Sequence, residues 1–164
     1  MRARLRMPRA GSLALLASLF MTRAALARPP AGPAASADGE KPGTRVEVTE
    51  LKRTSGGTVS LKFVLVNDGD QPVTMGYNFA SADNHVKDHA TVGGITLIDP
   101  AGKKKYFVVR DSEKNCVCSN GLKDVPKKSR VNLWAKFPAP PESVDKVGIL
   151  IPHFQPLDDV PISK

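Results

Sequence analysis

The sequence predicts an all-β protein, an immunoglobulin-like antiparallel β-sandwich of about seven strands. Three observations favour this fold. From residue 44 onward, apolar residues recur at every second position, which is the period of a strand with one buried face. Turn-forming stretches such as 54–57 and 67–70 separate the alternating segments. No stretch of roughly ten residues or more has the apolar stripe of an amphipathic helix.

The alternating segments define the predicted strands in chain order. The apolar residues that share one face of a strand are Val46 and Val48; then Val59, Leu61, Phe63 and Leu65; then Val73, Met75, Tyr77 and Phe79; and later Val131, Leu133, Ala135 and Phe137. Segments 95–99 and 106–109 flank Pro100-Ala101-Gly102 and predict a hairpin, and 147–151 gives the last strand. The proline-containing tail after 152 is expected to be extended at a sheet edge.

Residues 1–27 have the three parts of a secretory signal peptide. A basic stretch over 1–9 precedes an apolar run over 11–21, and Ala25-Leu26-Ala27 has the small-x-small pattern of a cleavage site. The apolar run is shorter than the ~20 residues that a membrane-spanning helix needs. We therefore expect a chain that is exported to the periplasm or the extracellular space, an oxidising compartment, and that does not span the membrane.

Residues 28–43 are rich in Pro, Ala and Gly and contain no large apolar side chain. Such a segment cannot bury enough surface to offset the entropy lost on ordering. We therefore predict a disordered linker over 28–43 and one immunoglobulin-like β-sandwich domain over 44–164.

The net charge of +8 does not indicate a nucleic-acid partner. The first 27 residues contain five arginines and no acidic residue. Removing these five from the 24 basic residues leaves 19 against 16 acidic residues. A domain so close to neutral has no strong field for a polyanion, so we expect no nucleic acid among its partners.

Cys116 and Cys118 form a Cys-x-Cys pair in a polar loop, and three interpretations are open. The first is a local disulfide, because close thiols in an exported protein are oxidised by default and the following Ser119-Asn120-Gly121 can bend the chain. The second is a Cu(I) site, because an extended segment would point both thiolates the same way. The third is a pair of reduced or intermolecularly paired thiols.

His85 and His89 are the candidate additional ligands of a copper site. Their spacing of four would place both rings on one face of a helix, but the surrounding loop has no helical pattern. Two solvent-exposed loop histidines are the simpler interpretation. The loop over 80–91 would have to lie beside the loop over 111–128 for either ring to reach the cysteines.

No catalytic motif is present in the sequence. It contains no Gly-x-Ser-x-Gly elbow, no phosphate-binding loop and no His-Glu-x-x-His pair. We therefore expect a protein that is not an enzyme and has no cofactor, with copper as the alternative.

Trp134 lies at a polar position of its strand and is the candidate for a contact surface, together with Phe154. Trp134 either lies beneath the C-terminal tail, against Phe154 or Leu157, or marks an exposed contact patch. The covered arrangement is the one we expect, because tryptophan side chains are highly buried on average.

Four segments together resemble an exported module at the N-terminal side of some bacterial OmpA-family envelope proteins. They are 95–111, Asn115-Cys-Val-Cys-Ser119, Leu133-Trp-Ala-Lys-Phe-Pro-Ala-Pro-Pro141 and 151–162. The resemblance covers about residues 45–163 and implies a location in the cell envelope rather than an activity. The sequence ends at Lys164, so we expect the peptidoglycan-binding OmpA-like domain of those proteins to be missing, and the resemblance does not imply cell-wall anchoring.

A weaker similarity links the Cys-x-Cys pair to the copper-assembly proteins of cytochrome oxidase, which carry such a site on an immunoglobulin-like sandwich. Val117 and Ser119 stand where those proteins have aromatic residues. From all these observations we expect an exported, non-enzymatic module that binds a protein or an envelope component. A periplasmic Cu(I)-binding protein is the alternative.

Overall fold

The computed structural model describes residues 32–75, 79–80 and 89–164, and within them the chain forms an antiparallel β-sandwich. The strands are β1 (Ala35–Asp38), β2 (Thr44–Thr54), β3 (Thr58–Asn67), β4 (Thr96–Asp99), β5 (Lys104–Phe107), β6 (Ser129–Pro138), β7 (Lys146–Leu150) and β8 (Leu157–Pro161). One sheet has the order β1-β2-β3-β6 and the other has the order β5-β4-β7-β8. The predicted all-β sandwich is confirmed, with eight strands among the described residues instead of about seven.

No described residue belongs to a helix long and apolar enough to cross a membrane. The predicted signal peptide lies entirely outside the described residues, and so does the linker segment 28–31.

The core lies between the two sheets and is built from the alternating residues. In β3, Val59, Leu61, Phe63 and Leu65 are each at most 1% exposed. This strand pairs with β2 on one side and with β6 on the other. All three strands therefore turn the same face of their sheet toward the core. Burial of each such large side chain contributes about 1.5–3 kcal/mol to the stability of the fold, so β3 contributes strongly to the stability of its sheet.

The predicted strand over residues 73–79 differs in the structure. Val73 forms only an isolated bridge with Val125, and residues 76–78 lie outside the described part. Met75 donates its backbone N–H to a carboxylate oxygen of Asp124 instead of to a neighbouring strand. Val73, Met75 and Phe79 are nevertheless buried in the core. The apolar alternation therefore predicted the burial of these residues correctly, but not their secondary structure.

The N-terminal boundary of the folded part also differs from the prediction. Strand β1 lies within the segment that we expected to be a disordered linker, and it pairs with β2 from Ala35 opposite Val48 to Asp38 opposite Arg45. Ala37 is the buried hydrophobic residue of this strand. The pairing depends on backbone hydrogen bonds, which require no large apolar side chain and leave little trace in composition.

The C-terminal tail forms β8 at the edge of the second sheet, as its prolines predicted. On the side of the sandwich where β1 and β8 lie, Gly39 bridges to Phe154 and the N–H of Gln155 donates to the carbonyl of Asp38 at 3.0 Å. On the opposite side, β5 and β6 are the edge strands of their respective sheets.

Candidate functional site

The Cys116–Cys118 disulfide lies on the side of the sandwich formed by β5 and β6. The two Cα atoms are 5.3 Å apart, within the range that a disulfide spans. An extended chain would separate them by roughly 6.5–7 Å, so the loop bends here, as the turn-forming residues after Cys118 suggested. Cys118 is 3% exposed and Cys116 is half-buried against the core. The predicted local disulfide is confirmed.

Val117, between the two cysteines, takes part in a closed ring of three backbone hydrogen bonds. The N–H of Val109 donates to the carbonyl of Lys136 at 2.8 Å. The N–H of Lys136 donates to the carbonyl of Val117 at 3.0 Å, and the N–H of Val117 donates to the carbonyl of Val109 at 2.7 Å. The ring ties the chain beyond β5 to β6, and so joins the two sheets at their edges.

The segment 117–119 continues along the edge of β6. The N–H of Ser119 donates to the carbonyl of Trp134 at 2.9 Å, and Cys118 forms a bridge with Ala135. The Ser119 hydroxyl oxygen accepts the N–H of Trp134 at 2.9 Å. This pairing covers backbone groups of an edge strand that would otherwise be open to another chain.

The turn that leads into Cys116 is held by Asp111. One carboxylate oxygen accepts the N–H groups of Glu113 and Asn115, both at 2.9 Å, and the other accepts the Asn115 side-chain amide at 3.1 Å. Hydrogen bonds from Asn115 favour the ionised carboxylate and hold the pKa of Asp111 below its ordinary value. The turn allows Arg110 to pair with Cys116 and so positions the disulfide.

The edge of β5 remains open next to this covered region. Hydrogen-bonding directions alternate along a strand that pairs on one side only, so Lys105, Phe107 and Val109 direct their backbone groups away from β4. Val109 uses both of its groups in the ring with Lys136 and Val117. Within the described part of the chain, Lys105 and Phe107 make no hydrogen bond on this side of the strand. Four backbone groups at the edge of β5 are thus unpaired.

A groove of about 930 Å³ lies beside this open edge, with Thr96, Lys105, Phe107 and Pro138 among its lining residues. The side chain of Phe107 is 64% exposed, the largest exposure among the large hydrophobic residues described. It lies in a row across the outer face of the second sheet with Thr96 and the half-buried Leu150. The groove thus combines an apolar side chain with unpaired backbone donors and acceptors.

Tyr106, between these two edge residues, points to the other face of β5 and packs partly against the core. Its hydroxyl is buried and has no hydrogen-bond partner in the part of the chain that the structure describes. A buried hydroxyl without a partner costs about 1–3 kcal/mol, so Tyr106 is poorly satisfied at this position.

The candidate copper ligands are only partly placed by the structure. His85 lies outside the described residues, and His89 is exposed in a turn. The N–H of Val92 donates to the carbonyl of Ser119 at 3.2 Å and the N–H of Leu122 donates to that of Ala90 at 2.9 Å, so residues 90–92 lie beside residues 119–122. Among the described residues, however, no three His, Cys, Asp or Glu side chains lie close enough to hold a metal ion. The two sulfur atoms are bonded to each other, so copper binding would first require reduction.

The structure does not bring Trp134 and Phe154 together. Trp134 is 41% exposed on the outer face of β6, opposite Lys62, and the expectation that the tail covers it is wrong. Phe154 is half-buried at the other edge of the sheet, where it packs against Phe79 with ring centroids 6.0 Å apart. The tail follows β7 in the second sheet and so does not reach β6.

Phe107 is the residue that sequence reasoning missed. The sequence predicts it in a hairpin strand together with Tyr106 and Val108 and points to no functional role for it. Strand alternation places Phe107 on the same face as Lys105, which is a signal that it is exposed.

Comparison with known proteins reveals no relative: no family model, no curated protein and no solved structure matches this chain. The function is therefore inferred from the residues of the β5 edge themselves.

Proposed function

We propose that the folded domain is an exported, non-enzymatic module that binds a protein or another component of the cell envelope. The observation that carries the proposal is the exposed Phe107 side chain beside the unpaired backbone of β5. Exposed aromatic side chains next to open polar groups are typical of contact surfaces, because one partner can bury the ring and satisfy the polar groups together.

The exposed part of Phe107 is large enough to matter for affinity. Complete burial of a phenylalanine side chain contributes up to about 3 kcal/mol. With 64% of the residue still exposed, a partner that covered it would gain roughly 2 kcal/mol. That gain corresponds to roughly a 30-fold change in the dissociation constant.

The export part of the proposal is supported by the signal-peptide pattern of residues 1–27 and by the disulfide, which suits an oxidising compartment. Cleavage after Ala27 would make Arg28 the first residue of the mature protein. N-terminal sequencing of the exported protein is expected to return Arg28, and a chain that still begins with Met1 would contradict this part.

The non-enzymatic part is supported by the sequence, which contains none of the nucleophile, phosphate-loop or zinc-peptidase motifs. A broad screen of hydrolase substrates is expected to show no turnover. Turnover that a single side-chain substitution abolishes would contradict the proposal.

The binding part can be tested with two matched variants. Phe107→Ser and Trp134→Ser each remove one exposed aromatic side chain, from different sheets. We expect the immobilised mature domain to retain a defined component of solubilised envelopes, and Phe107→Ser, but not Trp134→Ser, to release it. Equal retention by the wild type and Phe107→Ser would contradict a contact at β5. Loss with Trp134→Ser alone would place the contact on β6.

A further inference from the structure

We propose that the edge of β5 binds an extended, acidic segment of a partner protein, which adds to the sheet as a further strand. The proposal rests on the proposed binding function and names the chemistry of the occupant. Its three supports are the unpaired backbone, the charge of the edge, and the point at which the open edge stops.

The backbone of β5 presents a template for strand addition. The N–H and C=O groups of Lys105 and Phe107 point away from β4 and are unpaired among the described residues. Two such residues, separated by one, are spaced by about 6.6–6.8 Å, which matches the spacing of hydrogen-bonding residues in a neighbouring strand. An extended peptide can therefore satisfy all four groups with its own backbone.

The charge of this edge selects the occupant. Lys103, Lys104 and Lys105 are all exposed, and none forms an ion pair within the described part of the chain. Some other surface cations are paired: Arg130 contacts Glu47 at 3.5 Å and Lys62 contacts Glu50 at 3.0 Å. Three neighbouring lysines attract an acidic segment and repel a second copy of the same edge, so self-pairing is disfavoured.

The side chains of the edge predict a spacing in the partner. Lys105 and Phe107 point to the same face of the sheet, as residues two apart in a strand do. The added strand would place an acidic side chain beside Lys105 and an apolar one beside Phe107, with a single residue between them.

The open edge is short. It ends at Val109, whose backbone groups are already taken by Lys136 and Val117. The disulfide-linked segment therefore stops an added strand from extending further. We infer that the partner contributes only a few residues in strand conformation.

The proposal can be tested with the mature domain and two synthetic peptides. One is acetyl-Thr-Glu-Thr-Val-Thr-Glu-Thr-amide, which offers an acidic and an apolar residue with the required spacing in either direction. The other has lysine in place of both glutamates. NMR titration is expected to show saturable binding of the acidic peptide only. Amide hydrogen exchange at Lys105 and Phe107 should slow by at least about tenfold when that peptide is bound.

Two substitutions at one position separate backbone pairing from charge. Lys105→Ala removes the charge and keeps the N–H, whereas Lys105→Pro removes both, at an outward-facing edge position where proline is tolerated. We expect Lys105→Pro to bind the acidic peptide at least about tenfold more weakly than Lys105→Ala, which is the loss of one well-formed hydrogen bond. Circular dichroism checks that both variants fold. If the proline variant does not fold, the exchange measurement on the wild type still decides.

Three results would overturn the inference: equal binding by the proline and alanine variants, binding of the lysine peptide as tight as that of the acidic one, and no saturation by the acidic peptide below about 5 mM. Failure here is distinguishable from failure of the proposed function. If envelope capture still depends on Phe107 while the acidic peptide does not bind, strand addition is wrong and the binding module stands. If capture occurs but is insensitive to Phe107, the contact at β5 fails and strand addition fails with it. If the wild-type domain retains no envelope component, the proposed function itself fails.

Discussion

Asn67 is expected to hold the end of β3 to two loops, and its replacement by alanine should be among the most damaging polar substitutions in the domain. The residue is fully buried, at 0% exposure. Its side-chain amide nitrogen lies 2.9, 3.2 and 2.9 Å from the carbonyl oxygens of Gln71, Val125 and Pro126, respectively. Its side-chain oxygen accepts the N–H of Gly69 at 3.1 Å.

The magnitude follows from counting hydrogens. The side-chain amide of Asn67 has two hydrogens for three carbonyl oxygens, so one hydrogen is shared between two of them. Together with the hydrogen bond from the N–H of Gly69, replacement by alanine removes about three hydrogen bonds. At about 1 kcal/mol each, Asn67→Ala should lower the free energy of unfolding by about 3 kcal/mol. For a domain of this size the melting temperature should fall by roughly 10 °C.

The matched control is Asn132→Ala, on the exposed face of β6, which should change stability by less than about 0.5 kcal/mol. Urea unfolding followed by far-ultraviolet circular dichroism is the suitable assay, because Trp134 is already 41% exposed and its fluorescence would report unfolding weakly. A loss of unfolding free energy below about 1 kcal/mol for Asn67→Ala, or a loss equal to that of the control, would show that these hydrogen bonds do not stabilise the end of β3.

Three further outcomes are expected. Protein isolated after export should have an intact mass two hydrogen atoms below that of the reduced protein. Cys118→Ser should keep the fold and lower the free energy of unfolding by less than about 2 kcal/mol, because the ring closed with Cys116 is short. Stoichiometric Cu(I) uptake by the reduced protein that requires both sulfurs would instead support the copper alternative. The carboxyl of Asp111 should have a pKa below its ordinary value. Its hydrogen bonds therefore stabilise the turn fully at pH values above the ordinary pKa and are lost as the pH falls through the lowered pKa. Asn115→Ala should raise this pKa in a carbon-detected NMR titration, and an unchanged pKa would contradict the role of Asn115. Tyr106→Phe should leave the melting temperature unchanged or raise it, because the hydroxyl that is removed has no partner among the described residues, and a clear fall would show that the hydroxyl is bonded.

The parts of the fold that the sequence predicted are those in which burial and strand pairing coincide. Leu61 in β3 and Ala135 in β6 lie in strictly alternating segments, and both are 0% exposed in paired strands. Met75 is buried without belonging to a strand, so apolar alternation predicts burial there but not strand pairing. Strand β1 shows the opposite limit, since it pairs through its backbone and carries no large apolar residue.

The candidate site was predictable only in its local part. The disulfide follows from a spacing of two in a bending loop of a chain that its signal-peptide pattern predicts to be exported. The open edge of β5 depends instead on which distant residue takes up each backbone group, since Val109 is paired with Lys136 while Phe107 is not. The sequence places Trp134 correctly on the polar face of its strand. Whether the C-terminal tail covers this side chain depends on where the tail runs, and the residues around Trp134 do not determine that path.

The most direct test of binding at β5 is site-specific photocross-linking in cells that export the protein. A benzophenone side chain is introduced at position 107 in one variant and at position 134 in another, so that the two exposed aromatic positions are compared under the same conditions. If β5 is the contact surface, position 107 gives a discrete cross-linked adduct with an envelope component and position 134 gives none. Adducts from position 134 alone, equal adducts from both positions, or no adduct from position 107 would contradict binding at β5.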